Sequence, residues 1–436
     1  MTPAERRALR LYTLAWWLLA PLAVLRLLWR SRRERAYRLL LGERFARYAG
    51  SCATTFPAGA PRLWLHAVSL GETRAAAPLI EALRKDIPQL RLLLTHTTPT
   101  GRVAGAELLR DGDAQAWLPY DLPSAVTRFL RHFRPQMGVL MESELWPNLA
   151  QACRAQGVAL VLANARLSER SAARWRRWPT LARAACGGIA GAAAQTAEDA
   201  ARLRDLGVRD VLVAGNLKFD RAADAALSAR GGAWRAAARR PVLVLASTRA
   251  DHGAAEEQLL LDALPSRLRG RVLLVIVPRH QQRVPELLRM LEQRGLRHAL
   301  RSRAAPDGEI DVWVGDSIGE MPAYYAMADA AFIGGSLLRL GGQNLIEACA
   351  EACPVVLGPH VFNFAQAAAQ AEQAGAARRA ADAAEVWRLL LQWLDDAAAL
   401  QRARAAARAF SASHRGAAQA QARWIAARLR ATPAQR

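Results

Sequence analysis

The chain has 436 residues, of which 52% are hydrophobic and 22% charged, so it is too long for one ordinary domain and too apolar for a disordered chain. Lys and Arg number 60 against 38 Asp and Glu, a net charge of +22 that favours anionic partners: nucleic acid, anionic lipid or a phosphorylated substrate. Arginine dominates that charge and many segments are Ala-rich, a bias that source-genome composition alone would also produce. The cysteines Cys52, Cys153, Cys186, Cys349 and Cys353 are odd in number and scattered, which argues against a disulfide framework and for a reducing compartment. Cys349 and Cys353 stand one helical turn apart, but no partnering Cys or His follows at zinc spacing, so no metal and no cofactor is expected.

The first element is an apolar run, LYTLAWWLLAPLAVL (11–25), followed by Arg26, LLW and an arginine cluster. The run is shorter than the roughly 20 residues a spanning helix needs, unless Arg26 snorkels. No small-residue cleavage site follows, as a signal peptide would require. Arg30, Arg32, Arg33, Arg35 and Arg38 put the downstream side in the cytoplasm, and Trp16, Trp17 and Trp29 suit an interface. A span, an in-plane anchor and a buried core helix all fit this pattern; attachment to a membrane is the expectation.

Alternation begins after the anchor. Strands are predicted at LWLHAVS (63–69), LRLLLTHT (90–97), QAWLPY (115–120), MGVLME (137–142) and VALVLAN (158–164), with helices from Thr73 to about Lys85 and from about Gly101. A second set comprises PVLVLAST (241–248), RVLLVIVP (271–278), IDVWVGD (310–316), AAFIGG (330–335) and PVVLG (354–358). Short apolar strands alternating with helices mean parallel sheets with right-handed crossovers. The Ala/Arg/Gly-rich stretch 221–240 has no strand pattern and reads as a linker, and the tail from Asp382 reads as amphipathic helix. The expected architecture is α/β: two doubly wound, Rossmann-like halves with a ligand cleft between them, at the strand C-termini.

Polar clusters fall at those strand ends. In SLGET (69–73), Glu72 is either a general base facing the cleft or a helix-start glutamate that complements the dipole. THTTPTG (95–101) offers hydroxyls for an anion or sugar, or plain N-caps. MESELWPN (141–148) carries Glu142 and Glu144 at the same level, although Glu142 could equally be a buried partner of an arginine. Lys218 in GNLKFD is, apart from Lys85, the only lysine, a hint of a specific role. In the second half ASTR (246–249), VPRH (277–280) and GDSIGE (315–320) end strands; Arg279 can pair with a phosphate, and backbone N–H groups from Ser317 to Glu320 can take phosphate oxygens.

The glycine-rich turn with Gly334, Gly335, Gly341 and Gly342 separates strand AAFIGG from a helix predicted to open near Asn344. Strand, glycine turn and helix N-terminus together present bare N–H groups to a phosphate. Asn344 and Glu347, three apart, are expected to share a helix face suited to the hydroxyls of a ribose.

The motifs SLGE, TTPTG, LPYD, MESELWPN, NARLSERS, GNLKFD, VPRH, GDSIGEM and FIGGSL…GGQNLIE…GPHVFNF, in this order, resemble the 3-deoxy-D-manno-oct-2-ulosonic acid (Kdo) transferases of lipopolysaccharide biosynthesis. The likeness runs from the apolar N-terminus to about Gly375. It implies a GT-B glycosyltransferase fold, CMP-Kdo as donor, a lipid A precursor as acceptor, transfer with inversion, and attachment to the anionic cytoplasmic face of the inner membrane through a single N-terminal anchor. It divides the chain into an anchor (1–35), an acceptor-binding domain (36–225) and a donor-binding domain with the C-terminal helices (226–436). Carried over residue by residue, Glu72 matches the catalytic base of S-x-G-E, and Ser69, Gly71, Thr98, Glu142 and Lys218 fall to the acceptor side. Arg279, Ser317, Gly319, Glu320, Gly334, Gly335, Ser336, Asn344 and Glu347 fall to the CMP site. Two positions depart from the pattern: Gln343 stands where a His is expected before Asn344, and Arg249 where a His is expected after Thr248. The Gly-Glu expected soon after that His is displaced by a longer ADHGAAEE, with His252 or Glu256 as substitutes. The rival reading is another membrane-associated GT-B enzyme with a different nucleotide sugar; a nucleic-acid partner is not expected.

Overall fold

The computed structural model describes residues 1–32, 34–48, 56, 60–220, 224–307 and 309–431. Arg33 of the arginine cluster, Cys52, and 221–223 of the predicted linker lie outside the described residues. The chain forms two compact units, Met1–Arg221 with Arg415–Arg436, and Ala222–His414.

The first unit opens with α1 (Pro3–Arg30), a single helix capped by Thr2, whose hydroxyl accepts from Glu5 N while the Glu5 carboxylate accepts from Thr2 N. Strands β1 (Arg62–His66), β2 (Arg91–His96), β3 (Ala114–Trp117), β4 (Met137–Met141), β5 (Ala159–Ala165), β6 (Gly191–Ala194) and β7 (Val211–Val213) form a parallel sheet ordered β3-β2-β1-β4-β5-β6-β7. Helices α2 (Leu70–Asp86), α3 (Pro99–Ala106), α4 (Pro123–Phe133), α5 (Pro147–Ala155), α6 (Glu169–Arg176), α7 (Pro179–Cys186) and α8 (Ala197–Asp205) cover it. Side chains alternate across the pleat. Trp64, Leu93, Leu140 and Leu162 pack with Phe129 and Leu149 on one face; Leu63, Leu65, Leu94 and Val139 pack with Leu79, Ile80 and Leu83 of α2 on the other. Burial on both faces is why these strands read as continuous apolar runs.

The second unit holds α9 (Ala225–Ala238), β8 (Val242–Thr248), a short antiparallel hairpin β9 (Ala250–Asp251) and β10 (Ala254–Ala255), α10 (Glu256–Asp262), β11 (Leu273–Pro278), α11 (Val284–Gln293), β12 (His298–Leu300), β13 (Val312–Val314), α12 (Met321–Met327), β14 (Ala330–Ile333), α13 (Ile346–Ala350), β15 (Val355–Leu357), α14 (Ala365–Gln373), β16 (Ala377–Arg379), α15 (Ala383–Asp395) and α16 (Ala397–Ser413). Its sheet is again seven-stranded and parallel, ordered β12-β13-β11-β8-β14-β15-β16.

Two expectations change. Most of the predicted linker is helical: α9 packs on α12 where Gly231 lets the backbones touch, and Trp234 meets Trp313 and Tyr324 at ring distances of 5.0 and 5.2 Å. The last helix, α17 (Ala417–Ala431), belongs to the first unit and not to a 226–436 domain. Its stripe Ala418, Ala422, Ile425 and Leu429 completes the apolar cluster of α2, and Asp220 accepts from the N–H groups of Gly416 and Ala418 at its start.

Candidate active site

In the first unit the polar residues gather at the C-terminal edge of the sheet. Ser69 caps α2, and Glu72 in its first turn folds back so that Oε2 accepts the Val68 N–H (2.8 Å) and Oε1 accepts the Ser69 hydroxyl (3.3 Å). Capping and chemistry are therefore compatible in Glu72. Burial pushes its carboxyl up to about 7; the charges of Glu142 and Glu144 add to the rise, and the Val68 and Ser69 hydrogen bonds oppose it. Burial likewise raises Glu144, whose Oε2 accepts from Trp146 Nε1 at 2.8 Å. Among the described residues Glu142 pairs with a lysine and not an arginine: its carboxylate lies 3.6 Å from Lys218 Nζ. A φ of +58° at Glu142 is rare for a residue with a side chain, as is +51° at Asn164, at the neighbouring strand end.

Below this rim lie neutral histidines. Burial pushes His66 down to about 3 and His96 to about 4; His66 Nδ1 meets Thr95 O and Oγ1, and His96 Nδ1 meets Ala67 O. Thr98 caps α3, accepting from Gly101 N, and its hydroxyl donates to Val68 O at 3.0 Å, as Thr97 does at 3.2 Å. Thr98 is thus the N-cap, and both hydroxyls have a backbone partner at Val68. Gly71 is exposed, and a side chain there would meet only Ser69 Oγ at 3.8 Å, so packing does not demand the glycine.

In the second unit the glycine turn at Gly334, Gly335 and Ser336 has backbone N–H groups that already have a partner. That partner is buried Glu256: Oε2 accepts from Gly335 N (2.6 Å) and Arg249 N (2.9 Å), and Oε1 from Leu337 N (2.9 Å). Gly334 has no room for a side chain against Ser247 O, and Ser336 is fully buried, donating to Ile333 O and accepting from Gly358 N at 2.8 Å. Of the two substitutes considered, Glu256 is the buried one. His252 sits at the hairpin tip with a 95% exposed side chain. The shared helix face of Asn344 and Glu347 is corrected: α13 opens only at Ile346, because Asn344 Oδ1 turns to accept from Ile346 N at 3.1 Å.

Cations gather around that turn. Arg279 is exposed at the end of β11, in no ion pair among the described residues. Burial lowers the pKa of neighbouring His280, and Arg249, Arg279 and Arg283 lower it further. Arg249 and Gln343 are neighbours: a methyl on Gly335 would contact Gln343 Nε2 at 3.3 Å and Arg249 Cδ at 3.4 Å. In the GDSIGE loop Gly319 has φ +84°, Ser317 Oγ lies 2.8 Å from Tyr324 OH, and Glu320 pairs with Arg230 (2.5 Å) and Arg301 (3.1 Å). Glu320 therefore has cationic partners of its own.

Residues given no site role from the sequence are Asn164 and Arg283, whereas the sequence already places Glu144 beside Glu142 at the strand end. Asn164 ties β5 to the neighbouring loop, with Oδ1 accepting from Leu217 N at 3.0 Å. Arg283 binds Glu257 and Glu286 at 3.2 and 3.1 Å.

Two doubly wound parallel-sheet units, with polar residues at the C-terminal edge of each sheet, are the architecture of GT-B nucleotide-sugar enzymes. A solved UDP-GlcNAc 2-epimerase from Neisseria meningitidis, bound to UDP-GlcNAc, shares this fold at 13% identity, with a TM-score of 0.56 over 85% of this chain and 100% of that one. The 3-deoxy-D-manno-octulosonic-acid transferase family model matches residues 40–221. The chain is 47% identical over 421 residues to the 3-deoxy-D-manno-octulosonic acid transferase of Bordetella pertussis, covering 93% of this chain and 96% of the relative. It is 34% identical over 341 residues to that of Haemophilus influenzae, 77% of this chain and 78% of the relative. The chain belongs to the Kdo transferase family and is a glycosyltransferase.

Proposed function

We propose that this enzyme moves Kdo from CMP-Kdo to a lipid A precursor with inversion, Glu72 being the general base, at the cytoplasmic face of the inner membrane. The observation that carries this reading is the Glu72 carboxyl, held by Val68 and Ser69 at a strand end and pushed up to about 7. A carboxylate poised near neutrality takes a proton more readily than one at its ordinary value.

In the proposed step a hydroxyl of the acceptor sugar gives its proton to Glu72 as its oxygen bonds to the anomeric carbon of Kdo. The bond from that carbon to the phosphate oxygen breaks, and CMP leaves with the electron pair. Arg279, with Arg249 beside it, is assigned to the charge on the departing phosphate. Gly334, Gly335 and Ser336 keep their proposed place in the donor site, as the frame beside Arg249, whose N–H shares Glu256 with that of Gly335. Asn344 and Glu347 keep their proposed place beside the CMP ribose, and Ser317 and Gly319 theirs beside the nucleotide. Lys218 is assigned to hold Glu142, and Ser69 and Thr98 to hold the two helix starts on the acceptor side.

The test is incubation with CMP-Kdo and lipid A precursor, with products weighed by mass spectrometry, for the wild type and Glu72→Gln. Mass added in Kdo increments by the wild type alone supports the reading. Inhibition by UDP and not by CMP would instead favour another nucleotide-sugar donor.

A further inference from the structure

We propose that the groove between α1 and α7 binds an acyl chain of an anionic bilayer lipid, with α1 lying in the membrane interface and not crossing the bilayer; this deepens, and rests on, the membrane-surface reading above. Among the described residues α1 is the one helix long and apolar enough to cross a membrane. Its contacts argue against that. Tyr12 OH donates to Asp121 Oδ2 at 2.9 Å, Thr13 Oγ1 donates to Asn148 Oδ1 at 2.9 Å, and Trp16 Nε1 donates to Tyr12 OH at 2.6 Å. The Trp16 ring lies 6.0 Å from that of Tyr120 and 6.4 Å from that of Trp146. Ala20 and Leu27 are buried further along. The first half of the helix is thus docked on the first unit, and its second half leaves most of its side chains exposed. If it crossed the bilayer, it would draw Asp121, Asn148 and the loops around them into hydrocarbon, where irregular backbone is not tolerated.

The opposite side is built for lipid. Leu11, Leu14, Leu18, Leu22, Leu25 and Trp29 recur at three- and four-residue intervals, so they form one stripe, and all are more than half exposed, Leu18 at 70%. Leu11 also lines the groove, which has a volume of about 480 Å³ and is walled by Ala15, Trp178, Pro179 and Leu181. Trp178 is 67% exposed, an amphipathic ring of the kind enriched at membrane interfaces. Arg177 stands at the groove's rim, with exposed Arg7 and Arg10 on α1 and exposed Arg174 on α6, the helix that precedes α7. An apolar slot continuous with an apolar stripe and edged by guanidinium groups matches one chemistry: an acyl chain carrying an anionic phosphate headgroup.

The test uses the full-length protein and vesicles of phosphatidylcholine, with or without phosphatidylglycerol, whose acyl chains carry bromine. Fluorescence lost between the wild type and Trp178→Phe isolates the Trp178 signal. The expected result is quenching of that signal by chain bromines and flotation that depends on phosphatidylglycerol. Ala15→Phe, which fills the groove, should abolish the Trp178 quenching and weaken flotation about fivefold. A Trp178 signal that bromine does not reach, or that Ala15→Phe leaves quenched, overturns the groove. Protection of Ala4→Cys from an impermeant maleimide added outside the vesicles overturns the in-plane helix. Neither measurement uses a donor sugar, so failure of the transfer reaction counts against the enzymatic reading alone.

Discussion

The two sheets share a topology class but do opposite things with their carboxylates. At the edge of the first, Glu72 accepts two hydrogen bonds, and burial together with Glu142 and Glu144 holds its proton affinity near neutrality. At the edge of the second, Glu256 is more deeply buried yet chemically spent, because its oxygens take N–H groups from Arg249, Gly335 and Leu337. A carboxylate with few donors at a rim can exchange a proton; one surrounded by backbone donors is a fastener. Counting donors, and not burial alone, separates the two roles.

The largest effect that would break this comparison is at Glu72. Glu72→Gln keeps an acceptor for Val68 but cannot take a proton, so kcat for transfer should fall about 10²- to 10⁴-fold with nucleotide binding retained. The wild-type rate should rise with pH and level off above about 7, as the carboxyl ionises. Stability has the opposite sign. The folded group keeps its proton from its ordinary value of 4.5 up to about 7 while the unfolded chain has lost it, so stability falls as pH rises through that window. Urea unfolding of Glu72→Gln should lack that slope.

Next in size is Glu256→Ala. It leaves the buried N–H groups of Arg249, Gly335 and Leu337 without their acceptor, at a cost of about 3 kcal/mol or more. The expected result is a fall in the denaturant midpoint, with the first unit's Glu72-dependent pH slope preserved. Wild-type stability in this variant would mean that the turn does not depend on the carboxylate.

These two glutamates also mark what was legible in the sequence. Strands β1, β2, β4, β5, β8, β11, β14 and β15 announce themselves as apolar runs, and Glu72 could be placed at a strand end because β1 and α2 adjoin it. Strand β6, GAAA, and strand β16, ARR, carry neither alternation nor bulk, and only their pairing partners make them strands. Glu256 was visible only as one acidic residue in ADHGAAEE, since Gly335 and Leu337, two of the donors it binds, lie about 80 residues downstream. The stripe of α17 showed that it packs on something; that the something is α2, more than 300 residues earlier, no local pattern encodes.

Arg279→Ala sharpens the contrast from the cationic side. Loss of a charged hydrogen bond to phosphate is worth about 1.5–3 kcal/mol, so the donor KM should rise about 10- to 100-fold. The pH profile set by Glu72 should stay where it is. Steady-state kinetics over a series of donor concentrations and pH values reads both, and a moved profile would show that the two edges do not act separately.

The smallest expected effect is the most discriminating. The Glu142–Lys218 pair is part-exposed at 3.6 Å, so breaking it should change stability by less than about 1 kcal/mol. Glu142 nevertheless raises the Glu72 carboxyl through its charge. Glu142→Gln removes that charge, and the pH at which transfer reaches half its plateau should move down by a fraction of a unit. Lys218→Met leaves Glu142 charged and without its counter-ion, so its shift should be upward. Opposite displacements in two variants of equal stability would tie the profile to Glu72 through the electrostatics of its own edge. Shifts in the same direction would mean that the titrating group lies elsewhere, and the proton-accepting role of Glu72 would fall with it.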